Sequence, residues 1–151
     1  MNQNKNQPKN DTLCCIYSRV SSTSQNNERQ ILNLKQIAED RGLVVKRVFQ
    51  EKISGTTKAD SRPEFRTMIQ YLEHTGIKLV LISEVSRIGR RVVDVLNNVE
   101  MLHQKGVGLY IQQFNIITYQ DGKEDPVAKM LLQKAYKMNV NLNSNHFFAF
   151  V

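Results

Sequence analysis

The sequence predicts a single α/β domain, a mostly parallel sheet of four to five strands flanked by helices. Three observations carry this reading. Short apolar, β-branched runs alternate with longer segments whose apolar residues recur at helical spacing. The order is β-α-β-α-β-α-β-α, and parallel neighbours need helical crossovers of that kind. The chain has 151 residues, enough for one domain with a sizeable core.

Residues 1–11 are polar, lack the apolar stretch of a secretory signal, and read as a disordered leader. Residues 12–135 read as the domain. Leu13–Tyr17 is a short apolar run, a buried strand. Ser22 and Gln25 have capping-box spacing, Ile31, Leu34, Ile37 and Ala38 mark one face of the helix that follows, and Gly42 stops it. Leu43–Phe49 is a second strand, and Glu51–Ser61, with Ser-Gly-Thr-Thr at its centre, a flexible loop. Ser61 and Glu64 repeat the capping-box spacing with Pro63 in the first turn. Phe65, Met68, Ile69 and Leu72 form the next helical stripe, ended by Gly76. Ile77–Ile82 is the third strand. Val92, Leu96, Val99 and Leu102 line another helix, ended by Gly106, and Val107–Gln112 is the fourth strand. After a loop through Gly122, Asp125-Pro126 starts a last helix carrying Val127, Met130 and Leu131.

Lys and Arg total 21 against 14 Asp and Glu, a net charge of +7 with a pI near 9.5. Such a surplus favours a polyanionic partner, although it also serves solubility. No apolar run is long enough to span a bilayer, and the chain reads as cytoplasmic. Cys14 and Cys15 are adjacent, so on a strand they face opposite ways and stay reduced as packing residues. Neither a zinc-ligand spacing nor a GxGxxG or Walker cradle is present.

In a parallel sheet the functional groups gather at the carboxyl ends of the strands. After the first strand come Tyr17-Ser18-Arg19-Val20-Ser21-Ser22, hydroxyls and an arginine before a helix N-terminus, which favours an anion. By itself this segment also reads as a serine-rich cap. After the second come Ser54-Gly55 and then Arg62-Pro63, an arginine that clamps phosphate or is simply solvated. After the third come Ser83-Glu84-Val85-Ser86-Arg87-Ile88-Gly89-Arg90, where Arg87 and Arg90 are spaced to share a helix face and Gly89 permits a close backbone approach. Hydroxyls with several guanidinium groups suit a serine attacking phosphorus, the developing charge held by arginines.

These motifs resemble the catalytic domain of the resolvase/invertase serine recombinases. Tyr17-Ser18-Arg19-Val20-Ser21-Ser22 is similar to the family's Y-x-R-V-S-[ST] signature, which implies Ser21 as nucleophile with Arg19 beside it and Gln25 at a family glutamine. Ser54-Gly55 and Arg62-Pro63 resemble the loop and arginine after the second strand. Ser86-Arg87-Ile88-Gly89-Arg90 resembles D-R-L-G-R, with Arg87 and Arg90 as active-site arginines. The resemblance covers about residues 13–135 and makes Ser21, Arg19, Arg62, Arg87 and Arg90 catalytic, with Tyr17, Gln25, Ser54 and Ser86 supporting. It implies double-stranded DNA as substrate, homodimers at each crossover site, a synaptic tetramer, and 5′-phosphoserine links made and resealed without metal or cofactor. No membrane partner is implied.

The pattern departs from the family in two places. Ser86 replaces the aspartate of D-R-L-G-R, and a hydroxyl orients an arginine less firmly than a carboxylate. Residues 136–151 are Asn-rich with poor helix propensity, then run through His146 into Phe-Phe-Ala-Phe-Val, an apolar tail. A truncated or frameshifted reading frame lacking the family's helix-turn-helix domain would end this way. Two other readings stand beside the first: an inactive remnant that binds DNA or a full-length partner weakly, and an α/β module for small phosphorylated ligands.

Overall fold

The computed structural model describes residues 12–21, 25–53 and 62–141, giving Ser21, Gln25 and 135–141 as backbone alone. The proposed leader, Ser22, Ser54–Ser61 and the Phe-rich tail lie outside the described residues, so neither capping serine is tested there.

Two strands overrun their apolar residues. β1 spans Leu13–Ser21 and β2 spans Val44–Ile53, well past Tyr17 and Phe49 where hydrophobicity alone would end them. They pair in parallel along their whole length, from Leu13↔Val44 to Ser21↔Ile53. β3 (Leu79–Ile82) meets β1 only at Cys15 and Ile16. The upper parts of β1 and β2 therefore form a ribbon projecting beyond the sheet, and Glu51–Ile53 belong to it, not to a loop.

Helices α1 (Gln25–Asp40), α2 (Pro63–Thr75) and α3 (Val92–Gln104) form the crossovers. Gly42, Gly76 and Gly106 follow them with φ near +70°, at positions that favour glycine. A 3₁₀ turn, Val85–Arg87, separates β3 from α3. β4 (Gly108–Ile111) is parallel to β3, and β5 (Ile116–Ile117) returns antiparallel to β4. Residues that read as plain loop also form a small hairpin, β6 (Tyr119–Gln120) with β7 (Lys123–Glu124), ahead of α4 (Pro126–Asn141).

The sheet order is β2-β1-β3-β4-β5. From β1 the chain crosses to one side, then returns past it to the other, and right-handed crossovers running in opposite directions put α1 on one face and α2 and α3 on the other. Leu34 and Ala38 of α1 cover one face with Cys14, Ile16 and Leu81. Phe65, Met68 and Leu72 of α2 cover the other, with Val95, Val99 and Leu102 of α3 and with Cys15 and Tyr17. Each buried Leu, Ile, Val, Phe or Met side chain among them contributes roughly 1.5–3 kcal/mol by leaving water. The adjacent cysteines thus face opposite cores, and burial pushes their thiols up to about 12 and about 11, as inert packing groups require.

α4 departs from the pattern read in the sequence. Its buried contacts are Ala128 and Leu132, while Val127 and Met130 are exposed and Leu131 is half-buried. Asp125 accepts from the Ala128 amide at 2.8 Å, which fixes the helix start and hence its phase. The helix also runs on to Asn141, past residue 135, because Ala135, Lys137 and Met138 offset the few tenths of a kcal/mol that each asparagine costs (about 0.5). Among the described residues no helix is long and apolar enough to cross a membrane.

Candidate active site

The projecting ribbon carries the first group of functional residues. Arg19 and Ser21 lie on β1, in register with Glu51 and Ile53 of β2. Arg62 immediately precedes α2, and Gly89, Arg90 and Arg91 lead into α3. A cavity of about 380 Å³ opens between these segments, lined by the arginines at 19, 62, 90 and 91 with Ile53, Asp94 and Asn98 among its other walls. Both helix N-termini open onto it, adding the positive ends of two dipoles.

The electrostatics report the same convergence. Burial lowers the Arg19 guanidinium below its usual range, and the charges of Arg62, Arg90 and Arg87 lower it further. Arginine remains a cation in proteins, so the cluster holds a standing repulsion that an anion would relieve. Among the described residues the only carboxylate in the cavity wall is Asp94. A hydrogen bond from the Arg91 side chain lowers its pKa, with Nε–Oδ2 and Nη2–Oδ1 both 3.0 Å.

Arg62, which the sequence reads as a phosphate clamp or a solvated group, lines the cavity and is tethered. Its Nη2 donates to the Tyr17 hydroxyl at 3.0 Å and the Arg87 carbonyl at 2.9 Å, and Nη1 donates to the Ile88 carbonyl. Its guanidinium carbon lies 4.4 Å from the Phe65 ring centroid. Its Nε is buried with no partner among the described residues. Asn98 Nδ2 supports the same Ile88 carbonyl at 2.6 Å. Burial pushes the Tyr17 phenol up to about 12 against the pull of Arg62, so it stays a neutral donor to Glu51 at 3.4 Å.

Glu51 was hidden from sequence reasoning by its assignment to a loop. Its carboxylate is 2% exposed and accepts from the Phe65 amide at 2.9 Å and the Glu64 amide at 3.4 Å. It caps α2 from a neighbouring strand, the service that the Ser61–Glu64 spacing assigns to a local box. Period-two alternation from buried Phe49 was the signal that could have found it.

Arg87 and Arg90 do not share a helix face. Arg87 closes the 3₁₀ turn and Arg90 lies in the irregular link before α3, so helical spacing does not apply. Arg90 is exposed in the cavity wall. Arg87 is not among the lining residues; its Nη1 donates to the Arg19 carbonyl at 3.1 Å, bracing β1 from behind. Gly89 does permit a close approach, since a Cβ there would lie 2.7 Å from the Val95 amide nitrogen. Ser86 is buried and makes no hydrogen bond to Arg87 among the described residues. Gln25 opens α1 as backbone only, and Ser54 lies outside the described residues. No group of three or more His, Cys, Asp or Glu side chains among the described residues could hold a metal ion.

The family model described as "Resolvase, N terminal domain" matches residues 14–138. The chain belongs to the resolvase family. Among curated proteins, this resolvase-family chain is 34% identical over 93 residues to a resolvase of Clostridium perfringens, covering 62% of this chain and 45% of that one. It is 27% identical over 98 residues to the transposon Tn2501 resolvase of Escherichia coli, covering 64% and 46%. It thus spans a little under half the length of these relatives. The fold is similar to the N-terminal catalytic domain of TP901-1 integrase, with a TM-score of 0.67, 22% identity, and coverage of 85% of this chain and 95% of that one. It is also similar to a resolvase family site-specific recombinase from Streptococcus pneumoniae, with a TM-score of 0.64, 22% identity, and coverage of 86% and 89%. The α/β sheet read from the sequence is the fold these structures share.

Proposed function

We propose that this domain carries out site-specific DNA recombination, with Ser21 as the nucleophile. The Ser21 oxygen attacks a backbone phosphorus, a P–O bond to serine forms, and the bond to the 3′ oxygen breaks. The serine proton leaves, the 3′ oxygen ends as a hydroxyl, and the 5′ phosphate stays on the protein. Attack by the 3′ hydroxyl of an exchanged end reverses these steps. One phosphodiester replaces another, so no metal, nucleotide or other cofactor is invoked.

The observation that carries this reading is the gathering of the Arg19, Arg62 and Arg90 guanidinium groups around one cavity whose wall includes Ile53, the β-partner of Ser21. Charge on the phosphoryl oxygens grows in the transition state, and preorganised cations favour that state over the ground state. The relatives named resolvases support the same reaction class. The substrate is double-stranded DNA. A homodimer binds each site and two dimers pair as a tetramer, because strands from two sites must be cut before ends can exchange. Buried reduced cysteines fit a cytoplasmic setting.

The test is covalent capture. The protein, and a fusion to a DNA-binding domain of known specificity, are incubated with pooled supercoiled plasmids and quenched with detergent. We expect protein on 5′ ends, and none with Ser21→Ala. Absence of any adduct, even from the fusion, would favour a DNA-binding remnant.

A further inference from the structure

We propose that Glu84 is the positioning residue for Arg87, supplying the carboxylate that this chain lacks at Ser86. The inference rests on the recombination reading above and names a part of that site which the sequence motifs do not reveal.

The argument begins with the turn. Val85–Arg87 is a 3₁₀ turn, closed by the Arg87 amide donating to the Glu84 carbonyl at 3.1 Å. Glu84, the extended residue that caps the turn, reaches along it to Arg87, while Ser86, inside the turn, is directed into the core at 8% exposure. Glu84 Oε1 lies 2.9 Å from Arg87 Nη2. The other bonds of the Arg87 guanidinium go to neutral groups, the Ser83 hydroxyl at 3.4 Å and the Arg19 carbonyl at 3.1 Å. Glu84 is thus its only charged partner among the described residues. The pair is mostly shielded, with the Arg87 side chain 18% exposed and that of Glu84 33%.

This contact reaches the site by two routes. Through Arg87 Nη1 it holds the Arg19 carbonyl, two residues before Ser21 on the same strand. Through the Arg87 backbone it holds Arg62, which donates to the Arg87 and Ile88 carbonyls. Glu84 itself is not in the cavity wall and touches no reacting atom. Its negative charge beside a phosphate site opposes DNA binding, so its benefit must come through geometry. That opposition separates a positioning role from a merely electrostatic one.

The experiment compares Glu84→Ala, the milder Glu84→Gln, and the conservative Glu84→Asp, which keeps a carboxylate at the same position. Adduct formation is followed alongside DNA affinity, thermal midpoint and the Nε–Hε NMR signal of Arg87. We expect Glu84→Ala to slow adduct formation about ten- to a hundredfold while DNA binding is unchanged or tighter. The Arg87 signal should lose its restraint, and Glu84→Asp should retain much of both rate and signal. Full-rate cleavage by a folded Glu84→Ala variant, or an Arg87 signal identical to that of the parent, would overturn the proposal. If Glu84→Ala unfolds, Glu84→Gln gives the same decision on the NMR signal. A signal loosened in Glu84→Ala and kept in Glu84→Asp supports the positioning role even if the parent chain forms no adduct; that absence counts against the recombination reading alone.

Discussion

Arg62 and Arg90 line one cavity but are held in opposite ways. Arg90 is exposed, whereas Arg62 bridges the Tyr17 hydroxyl and two carbonyls of the β3–α3 link. Arg62→Ala leaves those groups unsatisfied and should cost about 3 kcal/mol. Arg90→Ala should stay within about 0.5 kcal/mol, as surface substitutions do. Urea unfolding of the two variants checks this, and equal stabilities would make the Arg62 tethers irrelevant to folding. The same reasoning applies to Arg87, whose bonds to Glu84 and the Arg19 carbonyl make it a stability residue as well as a candidate catalytic one. That Arg19, Arg62 and Arg90 gather at one end of the sheet was legible in the sequence, because their positions after strands place them there. How each is held was not, because Arg62, Tyr17 and Glu51 come from three elements whose approach depends on tertiary packing.

At the scale of elements, the strands and helices were legible from apolar periodicity, and their ends were not. The continuation of β1 and β2 carries Arg19, Ser21 and Glu51, polar residues that hydrophobicity counts as loop. Backbone pairing, not side-chain burial, extends the ribbon there. The β5–β7 region escaped for a different reason: its strands are two residues long, and a close backbone contact holds them. A Cβ on Gly108 would lie 2.1 Å from the Tyr119 carbonyl oxygen, so only glycine lets β6 sit against β4. Gly108→Ala should therefore destabilise by about 3 kcal/mol, as overpacking against fixed backbone does. Gly42→Ala, at φ +69° with open space around its Cβ, should cost only about 1 kcal/mol. Chemical unfolding of both variants decides it, and a Gly108→Ala protein as stable as Gly42→Ala would mean that the hairpin simply moves aside.

For the molecule as a whole, the order β2-β1-β3-β4-β5 explains why the site lies where it does. The chain leaves β1 toward one edge and later builds from β3 toward the other, so a crevice opens at the carboxyl ends of β1 and β3. Arg19 and Ser21 lie at the end of β1 and Arg87 just beyond β3, while α2 and α3 bring Arg62 and Arg90 across the gap. A net charge of +7 reinforces attraction to a polyanion without selecting a sequence. The most direct measurement of the central claim is mass-spectrometric mapping of the trapped DNA adduct after tryptic digestion. The residual nucleotide should sit on the peptide Val20–Arg29, localised by fragmentation to Ser21. A nucleotide on Ser22, Ser24 or any other side chain, or a protein linked to the 3′ end, would contradict the account.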